Sequence, residues 1–179
     1  MACPYQPSLL RLLHGATALL VLAAWLSGLV VYGRYDGRWG RLPFTIGAGL
    51  DWIDLLGTGG VLLWPLALLF GLYAITLGRR RLRNPANAVA LLALALAVGS
   101  GKLMNENWLR DGQLQPLVYS LHLLGWLGIT AALLWHLAAL RLRGGTPLLR
   151  SMLSLRTRPG DRPRDWPGQV RRFLASGRA

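Results

Sequence analysis

The chain has 179 residues, 53% of them hydrophobic and only 15% charged, with a mean hydropathy of +0.37. A soluble domain carries roughly 25% charged residues, so this composition excludes a disordered chain and is too apolar to cover a water-facing surface. The single cysteine, Cys3, excludes a disulfide scaffold, and the net charge of +13 is almost all arginine.

Four apolar stretches, residues 9–32, 53–77, 86–103 and 117–140, approach or exceed the roughly 20 residues of helix that a bilayer core requires. Backbone groups find no water in hydrocarbon, so each stretch is expected to be a helix. The first is longer than the apolar core of a signal peptide and no small-residue cleavage site follows it, so it is expected to be retained. Between the first two spans, "RYDGRWGRLPF" mixes arginines with aromatics. Trp39 and Phe44 there, and Trp108 after the third span, fit either an interfacial aromatic belt or a docking place for a partner or quinone.

Arginine placement sets the expected orientation. Arg11, the cluster Arg79, Arg80, Arg81 and Arg83, and ten arginines from Arg141 to Arg178 lie on one side, fifteen bases against the two acids Asp161 and Asp165. The other side is balanced, five bases against five acids. Both termini are therefore expected in the cytoplasm, and the basic charge reads as topology with no nucleic-acid partner. The expected fold is all-α: an integral membrane four-helix bundle, antiparallel up-and-down, in residues 1–142, followed by a basic cytoplasmic tail in 143–179. In the tail, Thr146 and Pro147 fit the start of a short interfacial helix. Trp166, Val170, Phe173 and Leu174 fit the anchor of a second. The alternative is a disordered tail drawn to anionic headgroups. There is no internal repeat, no phosphate-binding G-x-x-x-x-G-K-[ST], no H-E-x-x-H and no C-x-x-C-H.

All three histidines fall inside expected spans, where ionisable side chains are rare and functional by default. His122 and His136 are fourteen residues apart, which returns them to within about 40° of one face, about 21 Å apart along the axis. His14 enters the first helix at the depth at which His136 leaves the fourth, since the two run antiparallel. Two imidazoles at one depth on facing helices suit the axial positions of a six-coordinate haem iron, which favours electron transfer over oxygen chemistry. The alternative is that the histidines hydrogen-bond between helices. Gly28 and Gly125 allow close approach of either a macrocycle or a neighbouring helix.

At these residues the chain resembles the bacterial cytochrome b561 family, related to the b-type cytochrome subunits of nickel–iron hydrogenases and formate dehydrogenases. The segments "RLLHGATALLVLAAWLSGL", holding His14, and "HLLGWLGITAALLWH", holding His122 and His136, carry the likeness, which spans roughly residues 8–142. The resemblance implies a membrane protein that carries electrons through haem b and exchanges them with quinone or quinol. It implies His14 and His136 as the ligands of one haem, and His122 as a ligand of a second on the opposite side. The family places that second haem's other histidine four residues before a glycine on helix 2. If Gly60 is that glycine, Leu56 stands at the histidine position and cannot ligate iron. One haem, or a five-coordinate second haem on His122, follows; Asp54 or Met104 are the remaining candidate ligands.

Arg11 and Arg141 flank the His14–His136 level and fit either haem propionates or snorkelling to headgroups; Lys102 has the same two readings on the opposite side. The expected function is a membrane b-type cytochrome, with a quinone-linked oxidoreductase, or a subunit of one, left open. The competing reading is a haem-free four-helix membrane scaffold or assembly subunit. Expected partners are the lipid bilayer, quinone or quinol, and a membrane or soluble redox protein; a homodimer stays open. A bacterial plasma membrane or an internal photosynthetic-type membrane fits the resemblance.

Overall fold

Residues 5–40, 49–105, 107–143 and 145–176 are described by a computed structural model. Helix α1 (Ser8–Val31) continues through a π-helical turn (Tyr32–Asp36) and stops at Gly37. Gly37 takes φ of 64° and returns its N–H to the Tyr32 carbonyl at 3.1 Å, a left-handed stop that glycine adopts without a Cβ penalty. Helix α2 (Trp52–Ile75) opens on Asp51, whose Oδ1 accepts from the Ile53 and Asp54 N–H groups at 3.0 and 3.1 Å. Such a cap satisfies amides that have no partner within the helix. Helix α3 (Pro85–Lys102) opens on Asn84, with proline at its first position where no N–H is needed. One turn of helix, α4 (Asn107–Arg110), precedes α5 (Leu117–Arg143), and the tail carries α6 (Gly145–Leu153) and α7 (Trp166–Ser176).

The fold is all-α, and four of its helices are long and apolar enough to cross a membrane, at 29, 24, 18 and 26 residues. Their leucines face outward: Leu19 and Leu92 are each 69% exposed. A sheath of that kind requires hydrocarbon rather than water around it, which makes this an integral membrane protein. Its interior is correspondingly thin, with alanines such as Ala93, Ala97 and Ala132 set among larger residues such as Leu94, Tyr119 and Leu123. Helices α3 and α5 form one close pair, α1 and α2 another, and α2 touches α3. A Cβ on Gly125 would lie 2.9 Å from the Ala97 backbone, and one on Gly28 would lie 3.2 Å from Trp126 Nε1. Both glycines thus admit a neighbouring helix or its side chain, the second of the two uses expected for them.

Two polar clasps close the ends. At one, the Arg110 guanidinium donates to Asp51 and Asp54 at 2.8 and 2.6 Å, tying α4 to the start of α2. This hydrogen bond holds the Asp51 carboxyl below its ordinary range, and the two carboxylates raise Arg110. Asp54, considered above as an iron ligand, is thereby committed to Arg110. At the other end the tail folds back on α1. The residue before α1 is Pro7, which offers no side-chain cap, and Asp161 supplies one from 153 residues away: the Ser8 N–H donates to its Oδ2 at 2.7 Å. The Tyr5 hydroxyl donates to the same oxygen, Gln169 Nε2 donates to Oδ1, and Trp166 Nε1 donates to Ser8 Oγ at 2.9 Å. Burial pushes the Asp161 carboxyl up, but these hydrogen bonds outweigh it and hold it below its ordinary range.

Candidate functional site

Antiparallel α1 and α5 face each other through side chains rather than through close backbone packing, and two kinds of contact fill the space between them. Toward the end that lacks the termini, Trp25 and Trp126 stack at 6.0 Å between ring centres, 17° from parallel. Trp25 Nε1 donates to Thr130 Oγ1 at 2.7 Å, and Trp126 Nε1 to the Trp25 carbonyl at 3.3 Å. Tyr32 stacks on the other face of this group, 6.1 Å from Trp126, and Trp39 stacks on Tyr32 at 6.1 Å.

Toward the end that holds the termini, the contact is His14 with His136. Their ring centres are 6.2 Å apart with planes 34° from parallel, and Phe70 of α2 stands edge-on to His14 at 5.9 Å. Neither imidazole has a hydrogen-bond partner among the described residues, unlike the indole N–H groups of Trp25 and Trp126. Direct hydrogen bonding between helices, the alternative considered for the three histidines, is therefore not what joins these two, although His122 makes such a bond, to the Ala97 carbonyl. Two imidazoles on opposite sides of one metal atom, with bonds of about 2.0–2.1 Å, have ring centres about 6 Å apart, close to the 6.2 Å here. Two buried side-chain polar atoms among the described residues also lack partners, Arg11 Nε and Thr17 Oγ1. They sit three residues before and three after His14, each about 60° round the helix from it. Buried polar atoms are normally paired.

Arg11 is only 8% exposed, and its two terminal nitrogens donate to the Ser154 and Arg156 carbonyls, the latter at 2.8 Å. Nε is the one nitrogen of the group without a partner. Arg141 and Lys102 are exposed.

His122 lies elsewhere. Its Nδ1 donates to the Ala97 carbonyl of α3 at 3.0 Å, with Ser100 Oγ 3.3 Å away. A carbonyl can only accept, so this bond fixes the proton on Nδ1 and leaves the lone pair on Nε2. His122 lines a cavity of about 510 Å³ between the four spans, together with Leu56, Gly60, Met104 and Trp126, a size common for cofactor pockets. Leu56, the residue at the expected histidine position of helix 2, thus shares a cavity with His122. Met104 also packs on the apolar cluster of Val31, Ile53, Leu109 and Tyr119. Among the described residues, no group of three or more His, Cys, Asp or Glu side chains could hold a bare metal ion. A metal at His14 and His136 would need its other ligands from a bound group.

The Trp25–Trp126 pair was not singled out in the sequence, although counting finds it. Trp25 is eleven residues beyond His14 and Trp126 ten before His136, so antiparallel helices bring the indoles to one level as they do the imidazoles. No protein-family model, curated protein or solved structure matches the chain. The likeness to the cytochrome b561 family thus rests on the residues quoted for it.

Proposed function

We propose that the protein is a membrane electron carrier that holds one haem b between His14 and His136. The observation that carries this reading is the spacing of 6.2 Å between two imidazoles that have no other partner among the described residues. Bound there, a haem would supply a one-electron couple whose potential the His14 and His136 imidazoles and the apolar surroundings would set. The chain's part is to hold the two rings at one depth, with Phe70 packed against the edge of His14. Thr17 Oγ1, three residues beyond His14, offers an unpaired polar atom. With both histidines holding it, the haem would exchange electrons with quinol, quinone or a redox protein rather than bind oxygen.

The arginine-rich end, with both termini, is assigned to the cytoplasm, in a bacterial plasma membrane or an internal photosynthetic-type membrane. The cavity beside His122 offers a single imidazole opposite Leu56, so one haem per chain is the expected stoichiometry. The test is a reduced-minus-oxidised spectrum and a haem-to-protein ratio on protein purified after expression with ample haem. A low-spin b-type spectrum at a ratio near one supports the reading. Protein that folds and carries no haem would instead support the scaffold reading, for which the missing helix-2 histidine speaks.

A further inference from the structure

At the end of the bundle that holds the termini, α6 and the segment after it close over the start of α1. A cavity of about 420 Å³ opens between them, lined by Arg11, Arg150, Arg156 and Arg158 with the hydroxyl residues Ser151 and Thr157. No carboxylate lines it. The acid nearest in the hydrogen-bond network, Asp161, spends its oxygens on Tyr5, Ser8 and Gln169, and none of the four arginines forms an ion pair among the described residues. Arg11 is 8% exposed, and a buried cation without a counter-charge is costly. Its Nε, moreover, has no acceptor. The Arg11 and Arg158 guanidinium carbons lie 5.3 and 4.3 Å from the centre of the same Tyr5 ring. Aromatic faces attract each cation and the Ser154 and Arg156 carbonyls accept from Arg11, but no carboxylate in the wall neutralises the charges.

We infer that this cavity is a binding site for a phosphate group, whose oxygens supply the negative charge and the acceptors that the wall lacks. Guanidinium forks and hydroxyls are all donors to such a group. The surroundings favour a lipid headgroup as its source. Leu149, Leu153 and Leu155 project from the same segment, the last 97% exposed, and at a membrane surface such side chains enter the acyl region beside the headgroups. Free phosphate offers the same chemistry. The site is independent of haem binding.

The experiment uses the full chain in neutral detergent, with two probes: nanodiscs of phosphatidylcholine with or without phosphatidylglycerol, and inorganic phosphate. Phosphatidylglycerol retained through delipidation is counted by native mass spectrometry, and phosphate binding is read by calorimetry. The paired variant R150Q/R156Q keeps the backbone carbonyl that Arg11 uses, and should weaken binding about tenfold or more. The control R171Q/R172Q removes two exposed charges from α7, away from the cavity, and should leave binding unchanged. Retention of phosphatidylglycerol identifies a lipid source, and binding of inorganic phosphate alone identifies a free one. Equal losses in both paired variants would mean diffuse charge attraction, and binding of neither probe would mean no site; each result overturns the inference. Repeating the measurement on His14→Ala, which removes the proposed haem, should give wild-type binding and so keeps the two proposals separable.

Discussion

Replacing Gly125 by alanine places a methyl group where α3 leaves no room. The new Cβ would lie 2.9 Å from both Cα and N of Ala97 and 3.2 Å from its Cβ. Carbon atoms rest at about 3.5–4.0 Å, so the helices would have to part by about 0.6 Å or more along a backbone that cannot rotate away. Overpacking of this kind costs about 1–3 kcal/mol. It also pulls against the bond of 3.0 Å from His122 to the Ala97 carbonyl. Gly128, one turn along the same helix, is the internal control: its Cβ would meet only the Ala93 methyl, at 3.6 Å, an ordinary contact. There alanine should be neutral, or stabilising by up to about 1 kcal/mol through helix propensity. Thermal unfolding of the two purified variants in one detergent, followed by tryptophan fluorescence, should move the midpoint down for Gly125→Ala and leave it or raise it for Gly128→Ala. Equal midpoints would refute the close α3–α5 approach on which the placement of His122 depends.

Three further outcomes follow from the same geometry. His14→Ala and His136→Ala should each abolish a low-spin haem spectrum, and His122→Ala should leave it; loss only on His122→Ala would reverse the ligand assignment. Trp126→Ala removes two ring stacks and a hydrogen bond between α1 and α5, and should lower stability by about 3 kcal/mol, measured by denaturant or thermal unfolding. Asp161→Ala should release the tail and speed protease cleavage between α6 and α7. Since the Asp161 carboxyl is held below its ordinary value of 3.8, its contribution is complete above that pH and is lost as pH falls through the lower folded value. Cleavage of the wild-type tail should therefore accelerate only in acid, and a tail equally resistant at low pH would count against the clasp.

The spans and the histidine levels were legible because both follow from counting. Hydropathy over about 20 residues marks a crossing, and antiparallel helices convert sequence offset into depth. That arithmetic put His14 opposite His136 before any coordinates. It could equally have matched Trp25 with Trp126, but tryptophan is ordinary in a membrane helix and gave no reason to count from it. The clasp was not legible, because Ser8 and Asp161 are joined across 153 residues and neither carries a local pattern. Arg11 was misleading for a related reason. An arginine at the mouth of a span reads as a topology signal, whereas its burial depends on carbonyls of Ser154 and Arg156 that no periodicity brings near. Helix α6 likewise begins at Gly145 rather than at Pro147 with Thr146 as its cap, as helix ends are set by the chain's path as much as by capping residues.

The long-range cap on α1 has a consequence in time. A ribosome adds about 5–20 residues per second, so the first turn of α1 waits roughly 8–30 s after its own synthesis for the carboxylate 153 residues behind it. Every span has been made by then, so the earliest-born turn of the protein is among the last to be secured. A chain that stalls or is cut before Asp161 would keep its four crossings and still present a loose amino terminus, a mark by which incomplete copies differ from finished ones.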